Sequence, residues 1–163
     1  MPMSEQEPVA GFAVAVVREE GRWRWQSLDD SALRELDTAI TELRKIRTSG
    51  AVLGMLAVDD EFFILLRPSP GGVSLLLSDA TAALDYDVAA DALDLLRVEP
   101  PEDDDEMWPE GALDIVADLG LPAPEMQVIV DEVDLYPDEQ LQMIAQRCGF
   151  DGEFGKVLDT VLQ

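Results

Sequence analysis

GAVLGMLAVDDEFFILLRPSPGGVSLLLSDA, residues 50–80, reads as three short apolar strands divided by two turns. Val52, Leu53, Met55, Leu56 and Val58 make the first strand. Phe62, Phe63, Ile64, Leu65 and Leu66 make the second, and Val73, Leu75, Leu76 and Leu77 the third. Asp59-Asp60 separates the first pair, and Pro68-Ser69-Pro70-Gly71-Gly72 the second. Strands of roughly five to eight residues broken by such turn formers predict an antiparallel meander. Apolar side chains fall on both sides of the pleat, so both faces of this sheet need a cover. The chain's own helices or a second copy in a homodimer would serve equally.

Upstream, Phe12, Val14 and Val16 alternate with Ala13, Ala15 and Val17, which predicts a strand over residues 11–18. Glu19-Glu20-Gly21 turns the chain, and Arg22-Trp23-Arg24-Trp25 alternates strictly, as in a half-exposed strand with Trp inward and Arg in water. An Arg/Trp nucleic-acid surface is the competing reading, and the acidic surroundings disfavour it. Ser27-Leu28-Asp29-Asp30 resembles a capping box, predicting a helix to about residue 47 with Leu33, Leu36, Ile40 and Leu43 as its buried stripe. Arg44, Lys45 and Arg47 suit the last turn of that helix, and Gly50 its end. After the meander, Ser78 or Asp79 can cap a short helix to residue 84, and a second helical run covers 88–97. Residues 11–98 are therefore expected to form an α+β domain with a five-stranded antiparallel sheet, in the order β-β-α-β-β-β-α. By analogy this order suits profilin-like or roadblock-like scaffolds, which bind proteins more than they catalyse.

The remaining segments follow from composition. Residues 1–10, polar and acidic, read as a disordered N-terminus. Residues 99–110, with three prolines and the acidic run 102–106, read as an exposed linker. Residues 111–163 read as a helical C-terminal region. Pro137 stands at a first helical position with Asp138 and Glu139 behind it; Leu141, Ile144, Ala145 and Cys148 share one face, and Gly149 stops the helix. A last helix is expected over about 152–162, and no internal repeat is evident. Trp108, at the end of the linker, has the form of an anchor for the domain surface or for a partner. Tyr136, Asp138 and Glu139 add a charged-rimmed aromatic, a common hot-spot form, so these four are the candidate partner contacts.

Charge and chemistry exclude more than they assign. The chain of 163 residues holds 35 acidic and 11 basic residues, a net charge of -24. Residues 101–163 alone carry 17 acids and 2 bases. Such a field repels phosphate backbones, so direct nucleic-acid binding is not expected, whereas a basic protein partner is. There is no histidine, so no Ser-His-Asp or Cys-His pair exists, and Cys148 alone makes no zinc set. Neither a catalytic residue nor a cofactor or metal ligand is assigned. No apolar run nears the roughly 20 residues a bilayer span needs, and a single cysteine permits no internal disulfide; a cytoplasmic protein, with no membrane partner, is the expectation.

Five strings belong together: LLLSDA at 75–80, WPEG at 108–111, DLGL at 118–121, LYPDEQL at 135–141 and IAQRCGF at 144–150. In combination they make the chain resemble, over roughly residues 11–162, the small bacterial family of tRNA adenosine deaminase-associated proteins. The resemblance implies association with that enzyme, as a gene neighbour at least, and carries no functional residues with it. The chain is not itself the deaminase, which needs a His/Cys zinc set in H-x-E and P-C-x-x-C arrangement. The expected function is thus a non-catalytic accessory protein, docking on the deaminase or another basic protein. A second reading is an acidic nucleic-acid mimic that regulates a basic partner. A third is a carboxylate metal enzyme built on Asp59, Asp60, Glu61 and the 102–106 run.

Overall fold

The computed structural model describes residues 10–161. Residues 1–9 of the segment expected to be disordered lie outside the described residues, as does residue 162 of the expected last helix. The fold is α+β, built on one antiparallel sheet. Its strands are β1 (Gly11–Glu19), β2 (Arg22–Ser27), β3 (Val52–Val58), β4 (Phe62–Ser69), β5 (Gly72–Leu77) and β6 (Glu110–Gly111). They lie in the order β2-β1-β3-β4-β5-β6, and every neighbouring pair is antiparallel. The sheet therefore has six strands where five were expected. The sixth comes from the end of the presumed linker, where Gly111 pairs with Leu76 and Glu110 with Leu77.

Gly111 is the reason this short strand can form. Its φ is +110°, and a Cβ there would collide with the Leu75 carbonyl, so only glycine lets the backbone come this close. Two residues contribute backbone pairing and no hydrophobic period, which leaves nothing for an alternation pattern to detect.

The pleat sorts the core into two layers. Phe12, Val14, Val16, Leu53, Met55, Phe63, Leu65 and Leu76 face one way. Ala13, Ala15, Leu56, Val58, Phe62, Ile64, Leu66, Leu75 and Leu77 face the other. The second face is covered by α1 (Leu36–Arg44) and α2 (Asp87–Leu96), and the first by α3 (Ala123–Val130), α4 (Pro137–Cys148) and α5 (Asp151–Val161). Each fully buried Leu, Val or Phe contributes about 1.5–3 kcal/mol of hydrophobic free energy, so the sheet is held from both sides. The chain's own helices close both apolar faces. At Gly54 the missing side chain seats α1, because a Cβ would stand 2.6 Å from Leu43 Cδ1.

The expected helix from residue 29 to about 47 is shorter and starts later. β2 runs on through Ser27, and Asp29 then accepts from the Ser31 N–H at 2.9 Å and its hydroxyl at 2.7 Å. That cap starts a 3-10 turn at Asp30–Leu33, and α1 begins only at Leu36. The first N–H of α1 is met across the fold by Asp91 Oδ2 of α2, at 3.3 Å. Asp79, as expected, caps Ala80–Leu84, accepting from the Thr81 N–H at 2.9 Å and its hydroxyl at 2.6 Å. The two devices share the pattern Asp-x-Ser/Thr-Ala followed by an α-helix on the same face, a local recurrence that a whole-repeat scan does not register.

Inward and outward sides of β2 are as expected. Trp23 and Trp25 pack against the layer of α3 to α5, with Trp23 4.8 Å from the Phe150 ring, while Arg22 and Arg24 are exposed. Arg18 adds a guanidinium 5.8 Å above Trp23, a cation–π contact. Within the region expected to be helical, the segment between β6 and α3 contains only a 3-10 turn, Ala117–Leu119. Arg67 holds this segment to β4: its Nη1 donates to the Ile115 carbonyl at 2.9 Å, and both Nη atoms reach the Asp118 carboxylate at 2.6 and 2.8 Å. Cys148 is buried, and that burial pushes its thiol up to about 11.

Candidate interaction surface

One end of the sheet gathers carboxylates from distant parts of the chain. The β3–β4 turn brings Asp59 and Asp60 there, both with positive φ of 50° and 56°, a conformation that short polar side chains tolerate. Asp59 is a structural link. Its Oδ1 accepts from the Ala10 N–H at 2.8 Å, and its Oδ2 from the Tyr86 hydroxyl at 2.9 Å. Burial, and next the bond to Asp59, push the Tyr86 hydroxyl up to about 12. Asp60 and Glu61, beside it, are left facing solvent.

The loop from α3 to α4 forms the opposite wall. Gln140, buried on α4, donates from Nε2 to the Ile129 carbonyl at 3.0 Å and fastens this loop from beneath. Glu139 accepts the Tyr136 N–H at 2.9 Å, which orders the helix start and occupies the Glu139 carboxylate locally. The Tyr136 ring is left 59% exposed between two adjoining grooves. One, of about 600 Å³, is lined by Gly11, Phe12, Asp59, Asp60, Tyr136 and Asp138. The other, of about 410 Å³, includes Asp60, Glu61, Asp79, Met107, Val133, Asp134 and Tyr136. Among the described residues, no lysine or arginine lines either groove. Burial, and then the nearby charge of Asp60, hold the Asp138 carboxyl above the usual carboxylate range.

The four residues singled out from sequence are thus divided. Tyr136 and Asp138 share the groove, and Glu139 is the cap behind them. Trp108 lies with the layer of α1 and α2, half-buried; its indole N–H donates to Glu110 at 2.9 Å, and its carbonyl accepts the Ala80 N–H at 2.7 Å. Its chain neighbour Met107, 50% exposed, is the one that reaches the groove. Met107 and Val133, 62% exposed, escaped sequence reasoning because nothing in a local pattern separates an exposed apolar residue from a buried one. Among the described residues, no three carboxylates converge closely enough to hold a metal ion, so the Asp59-Asp60-Glu61 turn supplies no ligand set.

A different groove, of about 770 Å³, lies beside edge strand β2, between Arg24 and Gln26 and the α1 side chains Thr38, Thr41, Glu42 and Lys45. Its charges are mixed: Arg24, Lys45 and Arg47 against Asp29, Asp37 and Glu42. Among the described residues, no helix is long and apolar enough to cross a membrane.

Comparison with known proteins places these features in a family. Residues 11–151 match the family described as Rv3753c-like tRNA adenosine deaminase-associated protein. The chain is also 54% identical to Protein Rv3753c of Mycobacterium tuberculosis (strain H37Rv), over 97% of this chain and 95% of that protein. No solved structure matches, so the profilin and roadblock analogy gains no support. The family match takes in all six strands and the helices through α4, including the WPEG, DLGL and LYPDEQL strings among those on which the resemblance rested; the chain belongs to the Rv3753c-like tRNA adenosine deaminase-associated protein family.

Proposed function

We propose that this protein is a non-catalytic accessory protein that binds a tRNA adenosine deaminase through protein contact, without touching the RNA itself. The observation that carries the reading is the sheet end just described, where carboxylates from three separate chain segments line two grooves with no basic residue among the described residues there. A net charge of -24 repels tRNA phosphates and attracts the basic surface with which a tRNA enzyme holds its substrate. The chain has no histidine and a buried, high-pKa cysteine, which leaves it without the usual nucleophile and base pairs. The family description, which names an association with tRNA adenosine deaminase, supports this choice of partner.

The test is co-purification of the chain with a tRNA adenosine deaminase of the same organism, at low and at high salt. A complex that forms at low salt and weakens as salt rises supports the reading. Absence of a complex at both salts removes it. If a complex forms and tRNA displaces it competitively, the acidic surface acts as a nucleic-acid mimic on the same partner.

A further inference from the structure

Most of the excess charge of this chain is spread over solvated helix faces and the 102–106 run, where it specifies nothing. At the Tyr136 groove the charge is combined with exposed apolar surface. Met107, Val133 and Tyr136 are 50%, 62% and 59% exposed and line one depression, whose rim is Asp60, Glu61 and Asp134. Exposed apolar side chains that cluster inside a polar rim mark a docking site more than a solubility feature. The walls are also preset: Asp59 ties the β3–β4 turn to Ala10 and Tyr86, and Gln140 of α4 ties to the Ile129 carbonyl of α3, bracketing the loop between them. Binding on such walls loses little conformational entropy.

We infer that the two adjoining grooves, which share Asp60 and Tyr136, together take a segment of a basic protein that carries an arginine or lysine beside an apolar side chain. The cationic head sits between Asp60 and Asp138 with its stem on the Tyr136 ring, and the apolar neighbour lies on Met107 and Val133. Charge complementarity commits the occupant: the lining offers acceptors and no donors of positive charge, so an acidic or neutral segment would leave those carboxylates desolvated and unpaired. Burial, and then the charge of Asp60, raise the Asp138 carboxyl, and a cation bound between the two would favour its charged form. The aromatic ring favours a cation–π contact over a purely charged grip.

This inference names the surface used in the accessory reading above and rests on it for the identity of the partner, though not for the chemistry of the groove. The deaminase is titrated with the full chain and with three variants: Y136A, D60N/D138N, and the linker control D103N/D104N, which removes the same charge. Loss of affinity by about tenfold or more for the first two, with the control within about threefold, is the expected result. If the wild-type chain binds and the control loses as much as D60N/D138N while Y136A loses nothing, the groove is overturned and the accessory role stands. If the wild-type chain does not bind the deaminase, the accessory role fails. The groove is then judged by amide shifts of the labelled full chain, titrated with blocked Leu-Arg-Leu-Lys and blocked Gly-Arg-Gly-Lys peptides. Shifts confined to Asp60, Val133, Tyr136 and Asp138, and larger with the leucine peptide, uphold it. Equal shifts with both peptides, spread over 102–106, overturn it.

Discussion

The Tyr86 hydroxyl donates to Asp59 Oδ2 at 2.9 Å, joining the start of α2 to the turn between β3 and β4, 27 residues away. The same tyrosine ring lies 5.1 Å from Phe62, so one side chain closes the apolar layer and positions the acidic end. Tyr86→Phe keeps the ring and removes the bond, at an expected cost of about 0.5–1.5 kcal/mol at pH 7. Because the folded hydroxyl is pushed up to about 12 from 10, the unfolded chain loses its proton first. The contribution of Tyr86 is therefore complete below pH 10 and is lost as pH rises toward 12. Urea unfolding at pH 7 and pH 11 checks this: the gap between wild type and Tyr86→Phe should shrink at the higher pH.

Arg67 and Asp118 make the converse case. The bidentate bond to Arg67 holds the Asp118 carboxyl below its usual range, so this pair stabilises the fold above the unfolded carboxylate pKa. Its contribution is lost as pH falls below about 3.8 through the lowered folded value. Asp118→Asn should cost about 0.5–1 kcal/mol at pH 7, since the carboxylate is largely exposed and screened, and the gap should narrow in acid. Arg67→Met should cost more, because it also strips the Ile115 carbonyl of its donor. Denaturant midpoints at pH 7 and pH 3 measure both.

Gly111→Ala should detach β6. A Cβ has no room against the Leu75 carbonyl, and the backbone sits in the left-handed half of φ. A loss of about 2–4 kcal/mol is expected, with faster amide exchange along the freed edge of β5. Unchanged exchange there would mean that β6 contributes nothing to the sheet.

The twin caps should differ in weight. Asp79 is buried and Asp29 is exposed, although each accepts from a backbone N–H and a hydroxyl two residues on. Asp79→Ala should cost about 1–2 kcal/mol and Asp29→Ala less, because removing a buried acceptor strands its donors away from water. Thermal unfolding of the two single variants ranks them directly.

Cys148 should behave as a core atom with a latent thiol. Buried and pushed up to about 11, it should react with a disulfide reagent at pH 8 on the order of 100-fold more slowly than in the unfolded chain. Reaction at the unfolded rate would place the thiol at the surface.

Legibility of the fold in the sequence followed the size of the hydrophobic signal. The strands from Val52 to Leu77 were readable because continuous apolar runs and turn chemistry agree over many residues. β6 was not, since Glu110 and Gly111 act through backbone groups whose reach depends on where β5 lies. The helix start was misplaced because Leu33 and Leu36, three apart, satisfy α and 3-10 periods alike, and the cap at Asp29 selects the tighter turn. At the acidic end, Tyr136 and Asp138 were visible as an aromatic beside charge. Their neighbours Asp60, Met107 and Val133 come from other segments, and only the closed sheet brings them together. Trp108 had the composition of an anchor, but its contacts lie on the α1 and α2 side of the sheet.

The acidic run 102–106 is the covalent connection between two parts of the chain. Everything before it supplies β1 to β5 with α1 and α2; everything after it supplies β6 with α3 to α5. The first-face core interleaves the two, with Phe12 beside Phe154 and Trp23 beside Phe150. A single proteolytic cut within that run should then leave a nicked molecule that stays whole. Its two fragments, each holding one half of a buried interface, should find each other again after separation and refolding: the chain is a covalent tie between complementary pieces.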